Sequence, residues 1–176
     1  SWCWRVLRCG RPPWALPLAV LVALEEVVLE ETLLVFLRAY AWYRVVRHWA
    51  SMRFDDTAGL SPQSLVRTAR GVVGTLRRTK TSGPEKKVSI LPIFLSQEAW
   101  IKRPWLDTGF DLWRSEALFF ERDYFLPLPS EDLQASCKKR ARYSDAVGFS
   151  RSLFRTLQAP LGAGPSDTPA LAQQLL

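Results

Sequence analysis

The sequence predicts an α+β fold, mostly helical: N-terminal helices, a small three-stranded antiparallel sheet with a β-hairpin, then further helices. Three observations predict it. Apolar residues recur at spacings of three and four from Trp14 to about Ser51. Two β-compatible runs, Gly71–Leu76 and Val88–Ile93, flank a Gly-Pro turn. Beyond Pro92 the chain turns helical and aromatic-rich again. Apolar residues make up 48% of the 176, enough for one real core, and this excludes wholesale disorder.

The elements follow in order. Residues 1–13 are Trp- and Arg-rich, end in Pro12-Pro13 and read as the tail of a preceding segment. The apolar run Ala15–Leu24 stops at Glu25 and Glu26, far short of the roughly 20 residues needed to cross a bilayer. It enters an acidic helix instead of a cleavage site, so it reads as a buried helix with no membrane partner. Leu16, Val20, Leu24, Val27 and Val28 point inward, while Glu25, Glu26, Glu30 and Glu31 mark the wet side. A break near Glu30–Thr32 starts a second helix, Leu33–Trp49. Leu34, Phe36, Leu37, Ala41 and Val45 face its core, and Arg38, Arg44 and Arg47 decorate it. Phe36, Tyr40, Trp42, Tyr43 and Trp49 surround this helix and read as packing.

Gly59 and Pro62 end the helical part. Ser64–Val66 and Gly71–Leu76 are strand-like, Ser82–Glu85 is a turn, and Val88–Ile93 closes the hairpin. Ser96-Gln97-Glu98 caps a helix through Trp100 and Ile101, Asp107-Thr108-Gly109 reads as a turn, and Phe119–Pro129 as extended chain. Ser130–Leu157 is expected to be helical, in two parts broken near Gly148. Residues 159–176, with three prolines and two glycines, read as a loose tail. Residues 14–158 are thus one domain.

Lys and Arg outnumber Asp and Glu by 24 to 17, a net charge of +7 that favours a polyanionic partner. Cys3, Cys9 and Cys137 with the sole histidine, His48, exclude a disulfide framework and a closed zinc site, so no metal and no cofactor are expected. Ser1 in place of an initiating Met, with Met52 the sole methionine, suggests a piece of a longer reading frame.

The informative constellation is Arg53 at a helix end, Asp56 three residues on, and Arg77-Arg78-Thr79-Lys80-Thr81 on a hairpin strand. Here the chain resembles the tyrosine recombinases, the phage-integrase-like enzymes that include versions encoded by eukaryotic mobile elements. Ala50-Ser51-Met52-Arg53-Phe54-Asp55-Asp56 looks like the arginine box of that family, and Arg78-Thr79-Lys80-Thr81 with Ser82-Gly83 looks like its lysine hairpin. The likeness covers residues 14–100 well and the rest loosely. It implies catalytic roles for Arg53 and Lys80 and a supporting one for Asp56. The chemistry suits these types: an arginine fork meets the charge that builds on a phosphodiester under attack, and a lysine can protonate the departing 5′ oxygen. It further implies DNA as partner, contacts from Arg77, Arg78, Lys86 and Lys87, self-assembly on DNA in the full-length protein, and an intracellular place, nuclear in a eukaryote and otherwise cytoplasmic.

The family's His-x-x-Arg box is absent downstream of Lys80, where there is no histidine at all. Tyr124 and Tyr143 follow no such box, so neither is taken as the nucleophile, and His48 precedes Arg53 and reads as packing or solvated. The expectation is therefore a partial catalytic domain of a DNA-breaking and rejoining recombinase, inactive by itself. Alternatives are a non-catalytic basic α+β module binding nucleic acid or protein, and a membrane-associated helical protein using Trp14–Tyr43. The basic run Lys138–Arg142 reads equally as a second DNA patch, a solvated helix face or an import signal.

Overall fold

The computed structural model describes residues 18–77, 90–98 and 100–158. The tail 1–13, the Ser82–Glu85 turn and the tail 159–176 lie outside them. The described residues form the expected α+β fold: helices α1 (Leu18–Leu29) and α2 (Val35–Trp49), strands β1 (Val66–Thr68), β2 (Gly71–Leu76) and β3 (Leu91–Ser96), helix α3 (Trp105–Arg114), strands β4 (Pro127–Pro129) and β5 (Ser136–Arg140), and helix α4 (Tyr143–Gln158). Among the described residues no helix is long and apolar enough to cross a membrane.

The centre is α2, which packs against α1, α3 and α4. A helix met on so many sides cannot be apolar on one stripe only, and Phe36, Leu37, Ala39, Tyr40, Ala41, Trp42, Tyr43, Val45 and Val46 are all buried. Its large aromatics carry polar atoms that must be paired inside. Tyr40 donates to the Ala146 carbonyl at 2.6 Å and Trp42 Nε1 to the Leu106 carbonyl at 3.1 Å. Trp113 Nε1 donates back to the Ala39 carbonyl at 3.1 Å. The rings of Trp42, Trp113 and Phe125 meet at centroid distances of 5.1 to 6.0 Å.

The sheet has the order β1-β2-β3, antiparallel throughout. The sequence places the last strand at Val88–Ile93; it runs three residues later, from Leu91 to Ser96, paired as Gly71↔Ser96 through Leu76↔Leu91. Val72, Leu76, Ile93 and Leu95 bury one face against the helices.

Five local expectations are corrected. Asp107-Thr108-Gly109 lies inside α3. A Cβ on Gly109 would sit 1.9 Å from Trp42 Cδ1, so the glycine is there to let α3 approach that indole. No helix runs through Trp100 and Ile101, which form bends before α3. Ser130–Leu157 is not one helical stretch: β4 and β5 pair as a two-stranded ribbon, and α4 then runs unbroken through Gly148. Ser130 and Asp132 shape the intervening turn, and the Leu133 carbonyl accepts the Phe36 N–H at 2.9 Å, satisfying a donor in the first turn of α2.

The fourth concerns Glu25, which is fully buried instead of wet. One carboxylate oxygen accepts the Ile101 N–H at 3.1 Å, while the other has no partner among the described residues. Burial pushes its pKa up, and the backbone hydrogen bond from Ile101 offsets this only in part. Trp49, expected in the core, is 41% exposed and stacks on Trp100 with centroids 6.1 Å apart.

Two expectations follow. Gly109→Ala should destabilise the chain by about 3 kcal/mol in urea melts, since overpacking against a buried indole has no easy relief. Folding takes up a proton at Glu25, so stability present below its ordinary pKa of 4.5 declines as pH rises through the raised value. Glu25→Gln keeps an acceptor for Ile101 and removes the charge; it should melt several degrees above the parent at pH 8 and converge with it in acid. Identical melting differences at both ends of a pH series would contradict this.

Candidate functional site

Arg53 is positioned by the way α2 stops. The Met52 N–H donates to the Arg47 carbonyl at 2.9 Å and the Ser51 N–H to the His48 carbonyl at 3.0 Å, the double bond of a Schellman cap. Ser51 takes the left-handed conformation that this cap demands, φ 53°, without being glycine. Met52 is buried behind it, and the chain emerges at Arg53, which is exposed. A 3-10 turn, Asp55–Gly59, follows at once.

Asp56 holds this arrangement by its backbone. Its Oδ2 accepts the Arg53 N–H at 2.8 Å, so the carboxylate reaches back over the start of the turn instead of pairing with the guanidinium. Among the described residues Arg53 has no carboxylate within ion-pair distance.

The far end of the same turn holds the end of β2. Arg77 N–H donates to the Gly59 carbonyl at 2.9 Å, and Leu60 and Leu76 form an antiparallel bridge. A 3-10 turn rises about 2 Å per residue, so the four steps from Asp55 to Gly59 separate its ends by roughly 8 Å. Arg53 thus stands two residues ahead of this short turn, and the chain leaving β2 through Arg77 is bonded at its finish. Lys80, Arg78, Lys86 and Lys87 lie outside the described residues.

The turn is locked from the inside. The Phe125 N–H donates to the Thr57 carbonyl at 3.0 Å, and Tyr43, on α2, reaches the Thr57 hydroxyl at 3.5 Å. Arg77 and Arg122 both line an open cavity of about 500 Å³ beside it, with Ser61, Gln63, Glu121 and Asp123. Comparison with protein-family models, curated proteins and solved structures finds no match. The residues must therefore be read by their own geometry.

Sequence reasoning missed Arg122. It is buried, yet among the described residues it has no carboxylate partner. Its guanidinium donates to the Leu118 and Phe120 carbonyls at 3.2 Å and the Phe125 carbonyl at 3.4 Å, and lies 5.3 Å over the Trp113 ring and 4.5 Å over Phe120. Burial pushes its pKa down to about 10. The signal was an arginine embedded among Phe119, Phe120, Tyr124 and Phe125, a setting that favours a cation over rings.

The other basic residues sort into occupied and open. Arg67 pairs with Asp111, approaches Asp107 at 3.8 Å and lies over Phe110, so its charge is neutralised locally. Arg114 donates to the Leu65 carbonyl at 3.0 Å. Lys138, Lys139 and Arg140 are exposed on β5, a strand, so the helix-face reading of that cluster does not hold. Tyr143 is exposed and meets Phe54, the neighbour of Arg53, edge-on at 5.5 Å. Tyr124 is half-buried beside Phe120. His48 sits in the last turn of α2, where burial and then the charges of Arg44 and Arg47 hold its pKa below the ordinary histidine range. Among the described residues no group of three or more His, Cys, Asp or Glu side chains could hold a metal ion.

Arg122→Ala strips donors from three buried carbonyls and should lower stability by about 2–3 kcal/mol in urea or thermal melts, counting about 1 kcal/mol for each lost hydrogen bond.

Proposed function

We propose that the chain is part of the catalytic domain of a DNA strand-breaking and rejoining recombinase of the tyrosine-recombinase kind, with DNA as its partner. The observation that supports it is the short 3-10 turn: Arg53 stands two residues ahead of it, and Arg77, at the end of β2, is hydrogen-bonded to its last residue.

In this reading Arg53 clamps the scissile phosphate, its paired N–H donors meeting charge on the non-bridging oxygens. Lys80 delivers the proton to the departing 5′ oxygen, so that an alkoxide never leaves uncompensated. Asp56 is a positioning residue acting through the Arg53 backbone. Arg77, Arg78, Lys86 and Lys87 hold flanking phosphates without reading bases. The histidine box and the nucleophilic tyrosine are supplied from outside this chain, which by itself binds and does not cleave.

Two readouts test this. In the 176-residue chain, Arg53→Ala and Lys80→Ala should each weaken duplex binding several-fold and flatten the plot of log affinity against log salt by about 0.9, one phosphate contact apiece, with melting unchanged. In a chain extended by its downstream reading frame, either variant should abolish strand cleavage. Cleavage retained in both overturns the assigned roles.

A further inference from the structure

The three-stranded sheet has a second face, opposite the one packed on the helices. Across it runs one in-register row, Val66 on β1, Val73 on β2 and Phe94 on β3. Val66 and Phe94 are 53% and 54% exposed, an unusual state for a phenylalanine in the middle of a strand. Phe94 also borders an open cavity of about 570 Å³ lined by Arg70, Ser96, Gln97 and Glu98. The Gln97 N–H donates to the Arg70 carbonyl at 3.1 Å, which fixes the turn between β1 and β2 against the end of β3. Gln97 Nε2 is held in turn by Asp107 at 3.2 Å. Arg70 is exposed and has no carboxylate within ion-pair distance among the described residues, Glu98 included.

We infer that this face binds unpaired bases of a nucleic-acid strand. Phe94 stacks on a base, Val66 and Val73 extend the apolar platform beneath it, and Arg70 takes an adjoining phosphate. The inference rests on the proposed reading of the chain as a nucleic-acid protein and adds the single-stranded form as a ligand. Bases inside a duplex already have both faces covered, so a ring standing on a sheet can only take one that has left the stack. Breaking a strand frees such bases beside the break.

Charge complementarity selects this occupant. Arg70 stands at one end of the strands and Arg77 at the other, both exposed. A second copy seated on this face would bring cations against cations. A lipid surface would need a broad apolar patch, whereas Thr68, Thr75 and Ser96 interrupt this one.

Fluorescence anisotropy of the 176-residue chain with a labelled oligothymidylate and with a labelled duplex tests it. Phe94→Ala should weaken the single strand about tenfold and leave the duplex within about twofold, while Phe94→Tyr keeps both; the loss is that of one stacked base. Arg70→Ala should lower the salt slope for the single strand by about 0.7. Single-strand affinity unchanged in Phe94→Ala, or a parent chain that takes duplex and ignores the single strand, overturns this inference and leaves the recombinase reading standing. A parent chain that binds neither nucleic acid overturns both. A parent dimer in sedimentation that Phe94→Ala dissociates assigns the face to a second copy and overturns the inference.

Discussion

The indole of Trp42 is the contact on which the described structure depends. Gly109 leaves the space it occupies, since a side chain there would collide with the ring. Its N–H ties α2 to α3 through the Leu106 carbonyl, and its ring packs on Trp113 and Phe125. Phe125 then passes the constraint outward by donating to the Thr57 carbonyl in the middle of the 3-10 turn. Arg122 seals the same cluster from the other side, its cation over Trp113 and its donors on the Phe125 and Leu118 carbonyls. The surface geometry around Arg53 and Arg77 is thus set by a buried aromatic group that touches neither. Packing at interior density transmits such constraints because it leaves no slack to absorb them.

What was legible in the sequence is what local spacing encodes. The helix pair, the break after Leu29 and strand β2 were readable, because each has its period or its breakers within a dozen residues. What was illegible depended on partners far along the chain. Asp107-Thr108-Gly109 carries every local mark of a turn, but the Trp42 ring, more than 60 positions earlier, makes that glycine valuable inside a helix. Glu25 has the spacing of a wet residue until the bends at Trp100 and Ile101 fold over it. The strands β4 and β5 exist because their turn serves the N-terminus of α2, a role no window around Ser130 reveals. At the candidate site, the order of Arg53, Asp56 and Arg77 was readable, whereas the 3-10 turn joining them and the buried Arg122 were not.

The positive charge divides between engaged and exposed side chains. Arg67, Arg114 and Arg122 are engaged by carboxylates, carbonyls or rings and serve the fold. Arg53, Arg70 and Arg77 are exposed and lie at the edges of one structural unit, the sheet and the turn beside it. Exposed cations also stand elsewhere, among them Lys102, Arg103, Lys138, Lys139, Arg140 and Arg142.

The backbone before Arg53 holds a serine where glycine is usual. A serine in the left-handed region costs on the order of 1 kcal/mol more than glycine would, and glycine is the usual residue at this point of a Schellman cap. Strain of this kind persists where the surroundings over-determine the conformation, here through the buried Met52 on one side and the Asp56 carboxylate on the other. The result is an arginine whose main chain is fixed and whose guanidinium is left open. Had Asp56 paired with the guanidinium, the site would neutralise its own charge. By capping the backbone N–H instead, Asp56 fixes the main chain at Arg53 and leaves the guanidinium without a carboxylate among the described residues.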